Sequence, residues 1–92
     1  MQESTIAITL IESPGCHLCV DARAALEDLG TRYQLSIRSV DARSPEGLDL
    51  IVRHRPALQP LVLVKGKPFS AGRLPRRKLE RLLATEAAGV AS

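Results

Sequence analysis

The chain has 92 residues, 13 Lys and Arg against 10 Asp and Glu for a net charge of +3, 45% hydrophobic residues and 25% charged. A chain of this size buries roughly 60 to 65% of its unfolded surface, so one modest core is expected, as a single domain over residues 1–92, and two domains are excluded. Only Tyr33 and Phe69 are aromatic, which argues against the stacking platforms of single-strand nucleic-acid binders and against an aromatic-lined peptide groove.

Met1-Gln2-Glu3-Ser4 carries no positive n-region, and the apolar run after it is too short for a signal peptide or a membrane span. A cytoplasmic protein with no membrane partner is expected. In a reducing cytosol two close cysteines point to catalysis or metal binding ahead of a permanent staple.

Thr5 to Ile11 is β-branched and aliphatic without charge, the pattern of a central strand buried on both faces. Glu12-Ser13-Pro14-Gly15 breaks it. From Cys16, the apolar residues Leu18, Ala22, Ala25, Leu26 and Leu29 fall at helical spacing, which predicts a helix over 16–29 stopped by Gly30. Tyr33, Leu35 and Ile37 alternate with polar residues, as in a half-buried strand near the sheet edge running to about Val40. Asp41-Ala42-Arg43 leaves that strand.

Ser44-Pro45 gives an N-cap and a first-turn proline, and Leu48, Ile51 and Val52 mark the inner face of a short second helix ending before Pro56. Leu61 to Val64 is a purely aliphatic strand, and Lys65-Gly66-Lys67 turns it into a weaker partner over Pro68 to Ala71, a hairpin. Pro75 opens a third helix with Leu79, Leu82 and Leu83 on one side, fading at Gly89. Its basic residues, Arg77, Lys78 and Arg81, together with Arg73 and Arg76, read as a solvated face rather than a phosphate-binding patch, so no nucleic-acid partner is expected. The order is β-α-β-α-β-β-α, with the first two strands parallel by the crossover rule and the last two antiparallel.

Both cysteines lie in Ser13-Pro14-Gly15-Cys16-His17-Leu18-Cys19, between the first strand and the first helix. A Cys-x-x-Cys pair in that position reads as a redox dithiol. Cys16 meets the unsatisfied N–H groups and positive end of the helix, an environment that lowers a thiol pKa from ~8.5 into the range ~3.5 to 7.5. It is the expected nucleophile. Cys19, three residues on, shares the helix face at about 5 to 6 Å, within disulfide reach, and is the expected resolving thiol. His17 beside the nucleophile either modulates it by adding positive charge when protonated or is an exposed spacer. His54 is assigned to the solvated end of the second helix. A tetrahedral metal site needs four ligands, and two Cys with two distant His supply them only by coincidence, so no metal is expected.

These residues resemble the thioredoxin-like superfamily, and more narrowly the small bacterial glutaredoxin-like proteins, in which the phrase Pro14-Gly15-Cys16-His17-Leu18-Cys19 is typical. Pro60, four aliphatic residues and Lys65-Gly66 look like the superfamily's cis-proline ahead of its third strand, with Pro56 as the competing candidate. Gly72-Arg73-Leu74 before the last helix is a third shared phrase. The resemblance implies an α/β thioredoxin-like fold, a four-stranded mixed sheet flanked by three helices, with Cys16 packed near Pro60.

It also implies a thiol-disulfide oxidoreductase acting on disulfide-containing proteins or small molecules. No cofactor is expected to be bound, glutathione or a thioredoxin-type reductase would serve as electron donor, and a monomer is expected. Pro60 and Gly72 are then the candidate substrate-side wall, Pro60 turning the preceding backbone toward Cys16 and Gly72 allowing close passage of a substrate chain. An iron–sulfur cluster carrier, using Cys16 as a thiolate ligand, and a redox-silent binding module on the same fold stand as alternatives.

Overall fold

The computed structural model describes residues 5–89 and runs β1 (Ile6–Glu12), α1 (His17–Leu29), β2 (Leu35–Asp41), α2 (Pro45–His54), β3 (Leu61–Val64), β4 (Lys67–Ala71) and α3 (Arg76–Gly89). The expected element order is observed. The four strands form one sheet in the order β2-β1-β3-β4. β1 and β2 are parallel from Ile6↔Leu35 to Glu12↔Asp41. β3 runs antiparallel to both β1 and β4, with Ile11 facing Leu61 and Val64 facing Lys67.

Strand alternation divides the apolar side chains between the two faces of the sheet. Ile6, Ile8 and Leu10 of β1, with Val62 and Val64 of β3, point to one side, where α1 supplies Ala22, Ala25, Leu26 and Leu29 and α3 supplies Leu79 and Leu83. Leu26, Leu79 and Leu83 are fully buried there, and each such leucine contributes about 1.5 to 3 kcal/mol by leaving water. On the other side Ile11, Val40, Leu61 and Leu63 form a smaller cluster with Ala42, closed by Leu50 and Ile51 of α2.

That second cluster corrects two readings. β1 is central, yet it is not buried on both faces along its length: Ala7 is exposed and Thr9 half-buried, because α2 covers only the end of the sheet where Ile11 and Leu61 lie. The inner face of α2 is Gly47, Leu50 and Ile51, whereas Leu48 and Val52 are 53% and 72% exposed. Three apolar residues at helical spacing do not say which side of a short helix faces the sheet. What decides it is Gly47: a Cβ there would collide with the Asp41 carbonyl oxygen and stand 2.9 Å from the Ala42 Cα, so the helix backbone packs directly on the end of β2.

Local chemistry fixes the remaining boundaries. Ser44 caps α2, its hydroxyl accepting from the Gly47 N–H at 3.0 Å and donating to the Asp41 carbonyl at 2.7 Å. Arg55, just after α2, caps it with a left-handed φ of 49°. α1 starts at His17, with Cys16 as its N-cap outside the helix, and Gly30 ends it in a right-handed conformation, its N–H still bonded to the Leu26 carbonyl at 2.9 Å. β2 is an edge strand as expected, but Ile37 is exposed and the buried residue is Val40, on the α2 side. β4 begins one residue early, at Lys67, because Lys65 and Gly66 alone make the turn. No helix among the described residues is long and apolar enough to cross a membrane.

Candidate active site

At the C-terminal end of β1 both faces of the sheet are covered, so the loop from Ser13 to Cys16 springs from a packed base. Glu12 anchors it: its carboxylate accepts from the Arg23 guanidinium of α1 and from the Ser39 hydroxyl of β2, and its carbonyl accepts the Ala42 N–H at 2.8 Å. One residue later the Ser13 hydroxyl donates to the side-chain oxygen of Gln59. The β1–β3 register pairs Ile11 with Leu61, so Ser13 and Gln59 are the facing positions two residues beyond. A side-chain hydrogen bond thus continues the ladder past its last backbone pair.

Cys16 and Cys19 are bonded to each other, with their Cα atoms 5.2 Å apart, inside the range a disulfide tolerates. Their environments differ. Cys19 is 1% exposed, while Cys16 is half-buried at the helix N-cap. The Cys16 sulfur accepts the Cys19 backbone N–H at 3.1 Å, one of the orphan donors that every helix start presents. His17 is the first residue of α1 and is exposed; His54 is the last residue of α2 and is half-buried rather than fully solvated. Among the described residues no group of three or more His, Cys, Asp or Glu could hold a metal ion.

The Gln59–Pro60 peptide bond is cis and Pro60 is buried. Its carbonyl accepts the Gly72 N–H at 2.9 Å. Three loops therefore meet at one end of the sheet: Ser13 touches Gln59, and Pro60 touches Gly72. Gly72 has a φ of +98°, open to glycine at little cost. The Leu58 side chain lies against it, 3.2 Å from where a Cβ would be. Sequence reasoning assigns no role to Ser13, Gln59 or Leu58. The signal that finds the first two is the antiparallel pairing of β1 with β3, which places 13 opposite 59.

An open groove of about 660 Å³ runs beside Leu18 between α1 and the start of α3, lined by Asp21, Asp28, Arg73, Leu74 and Arg76, but neither cysteine lines it. Arg76 spans it to Asp28 at 3.0 Å. The basic residues at 73, 76, 77, 78 and 81 are all exposed.

A four-stranded mixed sheet with two helices on one side, one on the other, and a bonded Cys-x-x-Cys pair at the first helix start defines a thioredoxin-like protein and supports a redox type of function. The chain belongs to the family described as glutaredoxin-like domain (DUF836), whose model matches residues 7–84. No curated protein matches it significantly. Among solved structures it is similar to chloroplastic thioredoxin z, with TM-score 0.70 at 17% identity over 92% of this chain and 80% of that one. A thioredoxin-like protein from Clostridium perfringens gives TM-score 0.70 at 16% identity, over 91% and 72%. A mutant thioredoxin from Halobacterium salinarum gives 0.65 at 13% identity, over 89% and 74%. At these identities the likeness speaks for the fold alone.

Proposed function

We propose that this protein is a thiol-disulfide oxidoreductase that reduces protein or small-molecule disulfides through Cys16 and Cys19. The observation that carries the reading is the asymmetry of the pair: a half-buried cysteine at a helix N-cap, bonded to a cysteine that is 1% exposed. A helix start favours the thiolate form of the sulfur it caps, and the thiolate is the reactive species.

In the reduced protein the Cys16 thiolate attacks one sulfur of a substrate disulfide. A Cys16–substrate bond forms, the substrate S–S bond breaks, and the leaving thiolate takes a proton from water. Cys19 then gives up its proton and attacks the Cys16 sulfur, forming the Cys16–Cys19 bond and releasing the second substrate thiolate. Two electrons have passed from the protein dithiol to the substrate. An external thiol or dithiol, supplied by glutathione or a thioredoxin-type reductase, reopens the pair by the same exchange. His17 is exposed beside the nucleophile, while Pro60 and Gly72 are buried and support the substrate side from beneath rather than touching substrate.

The test is mutational. Cys16→Ser abolishes reduction of insulin disulfides, and Cys19→Ser accumulates a mixed disulfide through Cys16 that is visible by mass. Full turnover by both variants would contradict the reading.

A further inference from the structure

We infer that the outer edge of β2 is a self-association surface, on which a second copy of this chain docks its own β2 antiparallel about a two-fold axis at Ile37. Such a dimer departs from the monomer that the resemblance implies and does not depend on the redox reading.

The two outer strands of the sheet are β2 and β4, and a bare strand edge is a template for another strand. β4 is guarded. It opens with Lys67 and Pro68, the latter without an N–H, and its register with β3 shifts between Val62 and Leu63. β2 has none of these devices: it holds one register with β1 from Leu35 to Asp41 and contains neither proline nor lysine.

In a parallel ladder alternate residues of a strand bond to the same neighbour. The Ile6 N–H donates to the Gln34 carbonyl at 2.9 Å and the Ala42 N–H to the Glu12 carbonyl at 2.8 Å. The even-numbered residues of β2 therefore turn their backbone groups toward β1, and the odd-numbered ones turn theirs outward. Both ends of that outward row are closed: the Tyr33 N–H goes to the Leu29 carbonyl at 3.0 Å, and the Asp41 carbonyl takes the Ser44 N–H at 2.9 Å. Between them Leu35, Ile37 and Ser39 have no backbone partner on this edge among the described residues.

This free row is centred on Ile37, which makes it self-complementary. With a two-fold axis there, Ile37 faces the partner's Ile37 and Leu35 faces the partner's Ser39, and each facing pair exchanges both N–H···O bonds. The side chains agree. Pairing with Ile6 and Ile8 sets Leu35 and Ile37 on the α1 side of the sheet, where Leu35 packs against the core but Ile37 stays 38% exposed. A second Ile37 covers it. An axis at Arg38 would instead oppose two guanidinium groups and set Leu35 against the Asp41 carbonyl already bonded to Ser44. Because the joined strands are antiparallel, the two cysteine pairs lie toward opposite ends of the combined sheet.

The test is sedimentation velocity of the full-length protein over a dilution series, with a thiol reductant present so that Cys16 and Cys19 cannot link chains. A single strand pair is a small interface, so the mass is expected to rise from 10.0 kDa toward twice that value over about 0.01 to 1 mM. Ile37→Lys, which sets two ammonium groups at the axis, keeps the circular dichroism spectrum of the wild type and stays at the monomer mass throughout. Val52→Lys, on the exposed face of α2, associates as the wild type does. In a Cys16→Ser, Cys19→Ser background, Ile37→Cys cross-links under mild oxidation about tenfold or more faster than Val52→Cys, because facing hydrogen-bonded residues stand within disulfide reach. Should Ile37→Lys fail to fold, the cross-linking pair decides. A wild type that is monomeric at every concentration, a folded Ile37→Lys variant that associates normally, or equal cross-linking at 37 and 52 overturns the proposal, whatever the cysteine pair does.

Discussion

The Ser13 hydroxyl donates to the Gln59 carboxamide oxygen across a sequence separation of 46 residues, joining the loop that carries Cys16 to the residue before Pro60. Ser13→Ala leaves a half-buried acceptor without its partner and is expected to lower stability by about 1 kcal/mol, read as a lower urea midpoint. Ser13→Thr, which keeps the hydroxyl, recovers most of it. An unchanged midpoint in the alanine variant would show that the bond contributes nothing.

Gly72→Ala combines two penalties. Its φ of +98° is unfavourable for any residue with a Cβ, and the added methyl meets Leu58 at 3.2 Å. A loss of about 1 to 3 kcal/mol is expected. Pairing it with Leu58→Ala removes the Cδ1 contact but leaves the residue-58 Cβ at 3.3 Å and the backbone penalty, so the double variant recovers only part of the loss. Full recovery would mean that the backbone conformation carries no cost.

The α2 face is tested by a pair of alanines one residue apart. Ile51 packs on the cluster of Ile11, Val40 and Leu61, while Val52 is 72% exposed. Ile51→Ala is expected to cost about 2 kcal/mol and Val52→Ala to stay within about 0.5 kcal/mol. Equal losses would restore the face that periodicity alone indicates.

That comparison also marks where the sequence is legible. Element order, strand direction, the Ser44 cap and the position of the cysteine pair follow from local signals: apolar periodicity, a capping serine before proline, and a turn of Lys65-Gly66. The cis bond at Pro60 is reached through resemblance rather than from the residues themselves. The α2 face escapes periodicity because it depends on the approach of Gly47 to Asp41, a contact between elements. Ser13, Gln59 and Leu58 escape it for a related reason, since each has meaning only once β1 is paired with β3 and the Gly72 loop is folded back.

Arg38 reaches Glu46 with two hydrogen bonds, at 2.8 and 2.5 Å, tying β2 to the first turn of α2. The side-chain hydrogen bond from Arg38, with its charge, holds the Glu46 carboxyl below the usual glutamate range. A carboxylate whose folded pKa is depressed contributes stability that is present in full above its unfolded pKa and lost as pH falls through the folded one. The stability difference between wild type and Glu46→Gln is therefore expected at neutral pH and to vanish on acidification below the carboxylate range. Because the pair is exposed, added salt should also shrink it. A difference that persists in acid would assign the effect to something other than charge.

The most direct measurement is an ultraviolet thiolate titration of the Cys19→Ser variant, in which Cys16 is the sole thiol. If the N-cap position activates Cys16, its midpoint falls within the range ~3.5 to 7.5 seen for thiols at helix starts, below the ~8.5 of a free cysteine. A midpoint at or above ~8.5 would contradict the assignment of Cys16 as the nucleophile.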